Sequence, residues 1–178
     1  MTALRLWRTV EVYSGEWRLC LVCNRWMTRA RIAGFFGAIS RLGDGVFWYA
    51  LMIALAACGG MPGRHAALHM ALTGLVAAAM YRLLKHWTRR PRPFRTHLQI
   101  VAPVAPLDEF SFPSGHTLHA VTFTIVALAY FPILAPLLIP FALLVAASRV
   151  VLGLHYPSDV LAASLLGCML ATASLQLS

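Results

Sequence analysis

The sequence predicts an all-α fold: a polytopic membrane helix bundle of about five transmembrane helices, preceded by an N-terminal amphipathic segment at the membrane interface. Of the 178 residues, 60% are hydrophobic and only 12% are charged, whereas soluble domains are roughly 45–50% apolar. The apolar residues form long stretches separated by turns rich in glycine and proline. No internal repeat interrupts this pattern, so we predict a single membrane-embedded domain over residues 1–178.

The N-terminal residues 1–42 alternate arginine with tryptophan and leucine. A helix of this composition suits the headgroup layer better than the hydrocarbon core. We therefore predict an interfacial segment over 1–42. Its basic start is not followed closely by an apolar run and a small-residue cleavage site, so we expect no cleavable signal peptide.

Five apolar stretches are predicted to cross the membrane. The second contains 19 residues with one charge, Arg82, and at about 1.5 Å per residue it spans roughly 28 Å, close to the thickness of a bilayer core. The interval 85–114 contains five prolines, which exclude a long helix, so it is predicted to be a loop. The predicted spans are residues 47–58, 66–84, 116–131, 134–152 and 158–177.

Three polar motifs, all within residues 85–159, interrupt this apolar pattern. With five crossings, the end of span two, the start of span three, the end of span four and the start of span five share one membrane face. The motifs occupy these four positions. The topology therefore predicts that their polar groups meet at one membrane surface.

The first motif runs from Lys85 to Pro93 and places a lysine and an arginine on either side of a proline-stiffened turn. Lys85 and Arg92 can converge on one phosphate, the first as a point charge and the second as a planar fork. Taken alone, the cluster equally fits the positive flank of a membrane span.

The second motif is Pro113-Ser114-Gly115-His116, at the start of an apolar stretch. Ser114 is predicted to cap the helix, and Gly115 lets a ligand approach the free N–H groups of the first turn. His116 would then lie beside a bound anion. A capped helix that carries a surface histidine is the alternative.

The third motif runs from Ser148 to Asp159. Arg149 lies at the end of a span, where a charge is costly without a partner or ligand. His155 and Asp159 are four residues apart, and Pro157 fits the first turn of the next helix, so the carboxylate can reach one ring nitrogen. That contact would leave the other nitrogen free to act as a nucleophile.

In this order, Lys-x6-Arg-Pro, Pro-Ser-Gly-His and Ser-Arg-x5-His-x3-Asp resemble the signature of the type-2 phosphatidic acid phosphatase superfamily, in its membrane lipid-phosphatase branch. The resemblance implies that His155 attacks phosphorus, that Asp159 orients His155, and that His116 protonates the leaving oxygen and then activates water. It implies neither a metal nor another cofactor. The phosphate-binding groups that it implies are Lys85, Arg92, Ser114, Gly115 and Arg149.

The resemblance to small bacterial members favours undecaprenyl diphosphate as the substrate. Phosphatidylglycerol phosphate, phosphatidic acid and lipid A phosphate are alternatives, as are a lipid phosphotransferase and a non-catalytic lipid-phosphate carrier. The net charge of +9 is split between the N-terminus and the motifs, which favours an anionic lipid or phosphate as partner over nucleic acid. The oligomeric state is not predicted.

We expect a multi-pass protein of the bacterial inner membrane. The motif face carries nearly all basic residues, while the opposite turns contain only Arg64, so the positive-inside rule places this face in the cytoplasm. The family resemblance favours the periplasmic or outer face, and we adopt that expectation.

The remaining polar residues have weaker interpretations. Cys20 and Cys23 lack a second pair or nearby histidines for a metal site, so they are interpreted as apolar filler. His119 is expected to pack, and His65 and His69 to lie at the interface. The residues expected near the site, within reach of a second phosphate or a headgroup, are His86, Arg89, Arg90 and Arg95.

Overall fold

The computed structural model describes residues 15–177, and these form helices and connecting loops without a β-strand. The predicted all-α class is confirmed. Residues 1–14 of the predicted interfacial segment lie outside the described residues, as does Ser178. The helices are α1 (Glu16–Asn24), α2 (Ala30–Arg41), α3 (Phe47–Cys58), α4 (Gly60–Thr88), α5 (Pro93–Thr96), α6 (Gly115–Tyr130), α7 (Ala135–Val151) and α8 (Pro157–Gln176).

Helices α2 and α3 are joined by a π-helical turn, Leu42–Val46, and together form an apolar stretch of 29 residues. The first helix of membrane-spanning length therefore includes residues 30–41, which were predicted to lie at the interface. The reason lies in the spacing of the charges, since residues 32–40 contain none and Arg31 and Arg41 flank them.

Four stretches of the described chain are long and apolar enough to cross a membrane. Helix α6 coincides with the predicted third span but has only 16 residues, which corresponds to roughly 24 Å. The predicted count of five crossings is therefore not confirmed. The four stretches are Ala30–Cys58, Gly60–Thr96, Pro132–Val151 and Pro157–Gln176.

Helix α6 lies at the centre of the bundle, in contact with α4, α7 and α8. Trp48, Met70 and Phe123 belong to one buried cluster that joins α3, α4 and α6. The outer surface is apolar as well: Leu161 and Leu165, four residues apart on α8, are 66% and 67% exposed. Such a face is stable against lipid tails and costly against water.

Helices α3 and α4 form a tight hairpin because glycines replace side chains at the turn. A Cβ atom on Gly63 would lie 2.0 Å from the carbonyl oxygen of Leu55. The close approach aligns the two helices side by side, and a cavity lies between them.

Helix α1 is hydrogen-bonded to the loop 97–114 and to the end of α7, close to residues of the motifs. Nδ2 of Asn24 donates to the carbonyl oxygens of Val101 at 2.8 Å and Val151 at 3.0 Å, and its Oδ1 accepts the N–H of Val101 at 2.8 Å. One buried amide therefore ties the loop 97–114 to the end of α7, next to the third motif.

Candidate active site

A cavity of about 1010 Å³ is lined by residues of α3, α4 and α6 and of the loops beside them. The cavity follows α4 from Lys85 to Ala71, a distance of roughly 21 Å along the helix. Its lining changes from charged to apolar along this path. Six of the eight predicted site residues line it: Lys85, Arg92, Gly115, His116, Arg149 and His155.

His155 lies in the connection between α7 and α8 and is 1% exposed. Its Nε2 lies 3.2 Å from Nη1 of Arg92, and its Nδ1 lies 3.6 Å from Oδ2 of Asp159. The structure brings the predicted His–Asp pair together, but at a distance longer than a hydrogen bond. Burial, and then the positive charges of Arg92, Arg149 and Lys85, lower the pKa of His155 well below its usual value. The imidazole is therefore neutral at neutral pH, as a nucleophile must be.

Asp159 is fully buried in the first turn of α8. Its Oδ1 accepts a hydrogen bond from Nη1 of Arg90 at 2.7 Å, and its Oδ2 accepts the backbone N–H of Tyr156 at 2.9 Å. These bonds fix the carboxylate behind His155, outside the cavity lining.

Arg90 corrects one prediction from the sequence. We expected it within reach of a second phosphate or headgroup, but it is 1% exposed, and its guanidinium carbon lies 4.1 Å from the ring centre of Tyr156. A buried carboxylate requires a nearby positive charge. Arg90 supplies that charge to Asp159 and so points away from the cavity.

Lys85 and Arg92 were predicted to converge on a phosphate, and in this structure both pair with the carboxylate of Asp108. Nζ of Lys85 lies 2.6 Å from Oδ2 of Asp108, and Nη2 of Arg92 lies 2.8 Å from Oδ1. Burial favours a raised pKa for Asp108, but the hydrogen bonds and charges of Lys85 and Arg92 outweigh it and lower the pKa. Asp108 was not predicted from the sequence. The available signal was that Asp108 and Glu109 are two adjacent carboxylates in an otherwise basic interval.

Arg149 and His116 both have partners on the first long helix. Nη1 of Arg149 donates to Oγ of Ser40, and Nε2 of His116 pairs with Oδ1 of Asp44. Nε of Arg149 is buried and has no hydrogen-bond partner among residues 15–177. Ser40 and Asp44 were not predicted as site residues. Asp44 stands between two glycines, which was the one available signal.

Ser114 caps α6 as predicted, accepting the N–H of Thr117 at 3.4 Å. Its hydroxyl group is buried and lies 3.0 Å from Oγ1 of Thr117, so Ser114 does not line the cavity. The predicted cap is therefore confirmed, while the phosphate contact of Ser114 stays a prediction. Gly115 lines the cavity beside it and leaves the first turn of α6 accessible to an anion.

Two other histidines connect helices. The ring nitrogens of His119 lie 2.9 Å from the carbonyl oxygen of Gly115 and 3.2 Å from that of Gly74, in keeping with the predicted packing role. His69 was expected at the interface, but it is half-buried, and its ring nitrogens each lie 3.0 Å from a hydroxyl oxygen, of Tyr130 and of Ser174. Within residues 15–177, no group of three or more His, Cys, Asp or Glu side chains is arranged to hold a metal ion.

Comparison with known proteins identifies a matching family model and several similar proteins. The sequence model of the PAP2 superfamily matches residues 45–178. Undecaprenyl-diphosphatase BcrC of Bacillus subtilis is 34% identical over 115 residues, which cover 64% of this chain and 58% of that protein. A decaprenylphosphoryl-5-phosphoribose phosphatase of Mycolicibacterium smegmatis is 32% identical over 139 residues, covering 75% of this chain and 69% of that protein.

The chain spans only part of some curated relatives. Phosphatidylglycerophosphatase B of B. subtilis is 34% identical over 107 residues, which cover 50% of this chain and 46% of that protein. Among solved structures, a transmembrane PAP2-type phosphatidylglycerolphosphate phosphatase from B. subtilis superimposes with a TM-score of 0.75 and 25% identity, covering 98% of this chain and 91% of that chain. The helical arrangement is thus similar over nearly the whole chain.

Proposed function

The chain belongs to the PAP2 superfamily, and from this premise we propose that it is an integral-membrane lipid phosphatase that acts through a phosphohistidine, with undecaprenyl diphosphate as substrate. The observation that carries the proposal is the position of His155. Its Nε2 lies beside Arg92 at the cavity, while its Nδ1 faces the buried Asp159. A neutral nucleophile next to a fixed cation suits attack on a phosphoryl group.

The first chemical step forms a bond between Nε2 of His155 and phosphorus. The bond between phosphorus and the leaving oxygen breaks, and His116 gives this oxygen a proton. Asp159 then lies beside a positively charged, phosphorylated imidazole and stabilises it. In the second step, His116 takes a proton from water, the water oxygen attacks phosphorus, and inorganic phosphate leaves neutral His155 behind.

The charge that builds on the phosphoryl oxygens is matched by fixed groups. Backbone N–H groups near Gly115 add a dipole from the start of α6. Cations placed before the reaction need no reorganisation during it, which makes them effective in stabilising a transition state. The cations proposed to hold the non-bridging oxygens are Lys85, Arg92 and Arg149.

The shape of the cavity supports a lipid with a long apolar chain. From the cations, the lining continues along α4 past Ala78, Leu75 and Ala71. Two relatives carry names that refer to polyprenyl lipids, and this is why we place undecaprenyl diphosphate first. Phosphatidylglycerol phosphate is the second candidate, because the superimposed B. subtilis structure and a curated relative are named for it.

We further propose that the protein resides in the bacterial inner membrane with the cavity at the periplasmic face. Leu98 is 98% exposed in the loop 97–114, so a cysteine at this position, in a chain whose own cysteines are replaced, is accessible on one side only. Labelling of Leu98→Cys in intact spheroplasts by a membrane-impermeant thiol reagent supports the periplasmic face. Labelling only after lysis places the site in the cytoplasm.

The activity is tested by measuring phosphate release from four lipids by the detergent-purified protein with EDTA present. The lipids are undecaprenyl diphosphate, phosphatidylglycerol phosphate, phosphatidic acid and lipid A. We expect undecaprenyl diphosphate to be hydrolysed fastest, His155→Ala to abolish release, and His65→Ala, an exposed histidine on α4, to leave it unchanged. Loss of release in EDTA, or substantial release by His155→Ala, contradicts the proposed mechanism.

A further inference from the structure

Asp44 lies in the π-helical turn between α2 and α3, flanked by two glycines. Gly45 has a φ of 139°, a conformation that side chains rarely adopt. A Cβ atom on Gly43 would lie 3.0 Å from Cγ2 of Val145 on α7. The two glycines therefore let the helix bend and approach α7 closely at the position where Asp44 lines the cavity.

Asp44 contacts His116 across this bend. Oδ1 of Asp44 pairs with Nε2 of His116, and the two side chains are 31% and 9% exposed. A carboxylate accepts hydrogen bonds only, so Nε2 is the donor and carries a proton in this pair. The second ring nitrogen, Nδ1, is then the one left for the reacting group.

The charge environment of His116 explains why a carboxylate is needed beside it. The positive charges of Arg149 and Lys85 face His116 from α7 and α4, and His155 lies nearby. Burial and the charges of Arg149 and Lys85 disfavour a positive charge on His116, whereas a general acid needs that charge before it can give up a proton. Among residues 15–177, Asp44 is the carboxylate that forms an ion pair with His116.

We propose that Asp44 is a positioning residue for the proton transfers by His116, an inference that rests on the proposed function. When the bond from phosphorus to the leaving oxygen breaks, its electron pair goes to oxygen, and Nδ1 of cationic His116 supplies the proton. Neutral His116 keeps its Nε2–H on Asp44. The lone pair on Nδ1 then takes a proton from the attacking water, which restores the cation. The site thus contains two carboxylate–histidine pairs, Asp44 with His116 and Asp159 with His155.

The proposal makes a prediction that a purely structural role does not make. A leaving oxygen of low basicity, as in p-nitrophenyl phosphate, departs without a proton, whereas the alkoxide oxygen of phosphatidic acid requires one. Loss of a proton donor therefore slows the second substrate much more than the first. Damage to the fold slows both alike.

The experiment compares Asp44→Asn with the unmodified protein on these two substrates. We expect kcat on phosphatidic acid to fall by about 100-fold, in the range for loss of general acid catalysis, and kcat on p-nitrophenyl phosphate to fall by less than about fivefold. Asp44→Glu should recover part of the loss. Glu109→Gln is the matched control, because Glu109 also lines the cavity but pairs with the exposed Arg95.

The outcomes separate the two proposals. Equal losses on both substrates, or no loss on either, overturn the role of Asp44. If the unmodified protein releases no phosphate from undecaprenyl diphosphate, phosphatidic acid or p-nitrophenyl phosphate, or if His155→Ala retains activity on p-nitrophenyl phosphate, the proposed function fails instead. The activity of Asp44→Asn on p-nitrophenyl phosphate also reports whether the variant is folded.

Discussion

Arg90 and Asp159 form an ion pair in which the side chains are 1% and 0% exposed, with Nη1 of Arg90 2.7 Å from Oδ1 of Asp159. The second carboxylate oxygen of Asp159 lies 3.6 Å from Nδ1 of His155. The carboxylate is therefore held between a buried cation and the proposed nucleophile. Glu16 of α1 lies 3.5 Å from Nη2 of Arg90, so the N-terminal helix completes the cluster.

Replacing Arg90 should affect both folding and turnover. Arg90→Met leaves a buried carboxylate without its main counter-charge, which typically costs about 3–5 kcal/mol, and it frees Asp159 to move relative to His155. We expect a lower midpoint of thermal unfolding in detergent and a fall in kcat of at least about tenfold. Arg95→Met is the matched control, since the side chain of Arg95 is 46% exposed and surface ion pairs contribute roughly 0–1 kcal/mol. Similar results for both variants would show that the buried pair has no special role.

Asp108 occupies the position between Lys85 and Arg92 that we assign to the phosphate group of the substrate. A substrate must then compete with this carboxylate. Asp108→Asn removes the competing charge, so we expect inorganic phosphate to inhibit the variant about tenfold more strongly, a difference of about 1.4 kcal/mol in binding. The measurement is the inhibition constant for phosphate in the lipid phosphatase assay.

Glu109→Gln serves as the control for Asp108→Asn, because it removes a neighbouring carboxylate that pairs with Arg95 instead. Its inhibition constant should stay within about twofold of that of the unmodified protein. Weaker inhibition of Asp108→Asn would show that Asp108 orients the two cations rather than competing with phosphate for them.

The pH dependence of phosphate release follows from the states of the two histidines. Because burial and the nearby cations lower the pKa of His155 well below 6.5, its neutral, nucleophilic form persists as the pH falls through 6.5. The acid limb that His155 contributes to kcat/KM therefore lies well below pH 6.5. Burial and the positive charges of Arg149 and Lys85 lower the pKa of His116 to about 4, so the basic limb that its deprotonation produces also begins on the acid side of pH 6.5. We expect a bell-shaped profile. A profile that is flat from about pH 5 to about pH 9 would rule out this assignment of acid and base.

Much of the site was predictable because its residues lie at fixed places relative to helix ends. Ser114 caps a helix, Arg149 ends one, and Asp159 lies in the first turn of another. Asp44 was not predictable in the same way, because its contact with His116 depends on a bend inside a helix whose start we placed too late. The pairing of Arg90 with Asp159 could not be predicted either, since the sequence does not distinguish a buried arginine from the exposed ones beside it.

The fold, like the site, has features that could be predicted from the sequence and features that could not. Apolar stretches of membrane length are visible in composition, because lipid-facing residues such as Leu161 need no polar neighbours. The bounds of α6 were predicted to within one residue, 116–131 against Gly115–Tyr130. Its central position and its contacts with three other helices could not be predicted, since they are properties of packing rather than of hydropathy. For the same reason, the sequence did not reveal that Asn24 joins the loop 97–114 to the end of α7.

Asn24 provides a test of how much α1 contributes to the stability of the site. Asn24→Ala removes three hydrogen bonds from a side chain that is 4% exposed and leaves the buried carbonyl oxygen of Val151 without this donor. Leaving a buried polar group unsatisfied costs about 1–3 kcal/mol, so we expect the free energy of unfolding to fall by about 2–3 kcal/mol. Denaturant unfolding in a fixed detergent measures the change.

Thr28→Ala is the matched control for Asn24→Ala, because Oγ1 of Thr28 makes only an exposed, local hydrogen bond to the carbonyl oxygen of Arg25. Exposed substitutions of this kind usually change stability by less than about 0.5 kcal/mol. If Asn24→Ala is no less stable than Thr28→Ala, the hydrogen bonds of helix α1 do not contribute to the stability of the bundle. If it is less stable by the expected amount, α1 is part of the support that keeps His155 and Arg149 in place, since Val151 lies between them in the sequence.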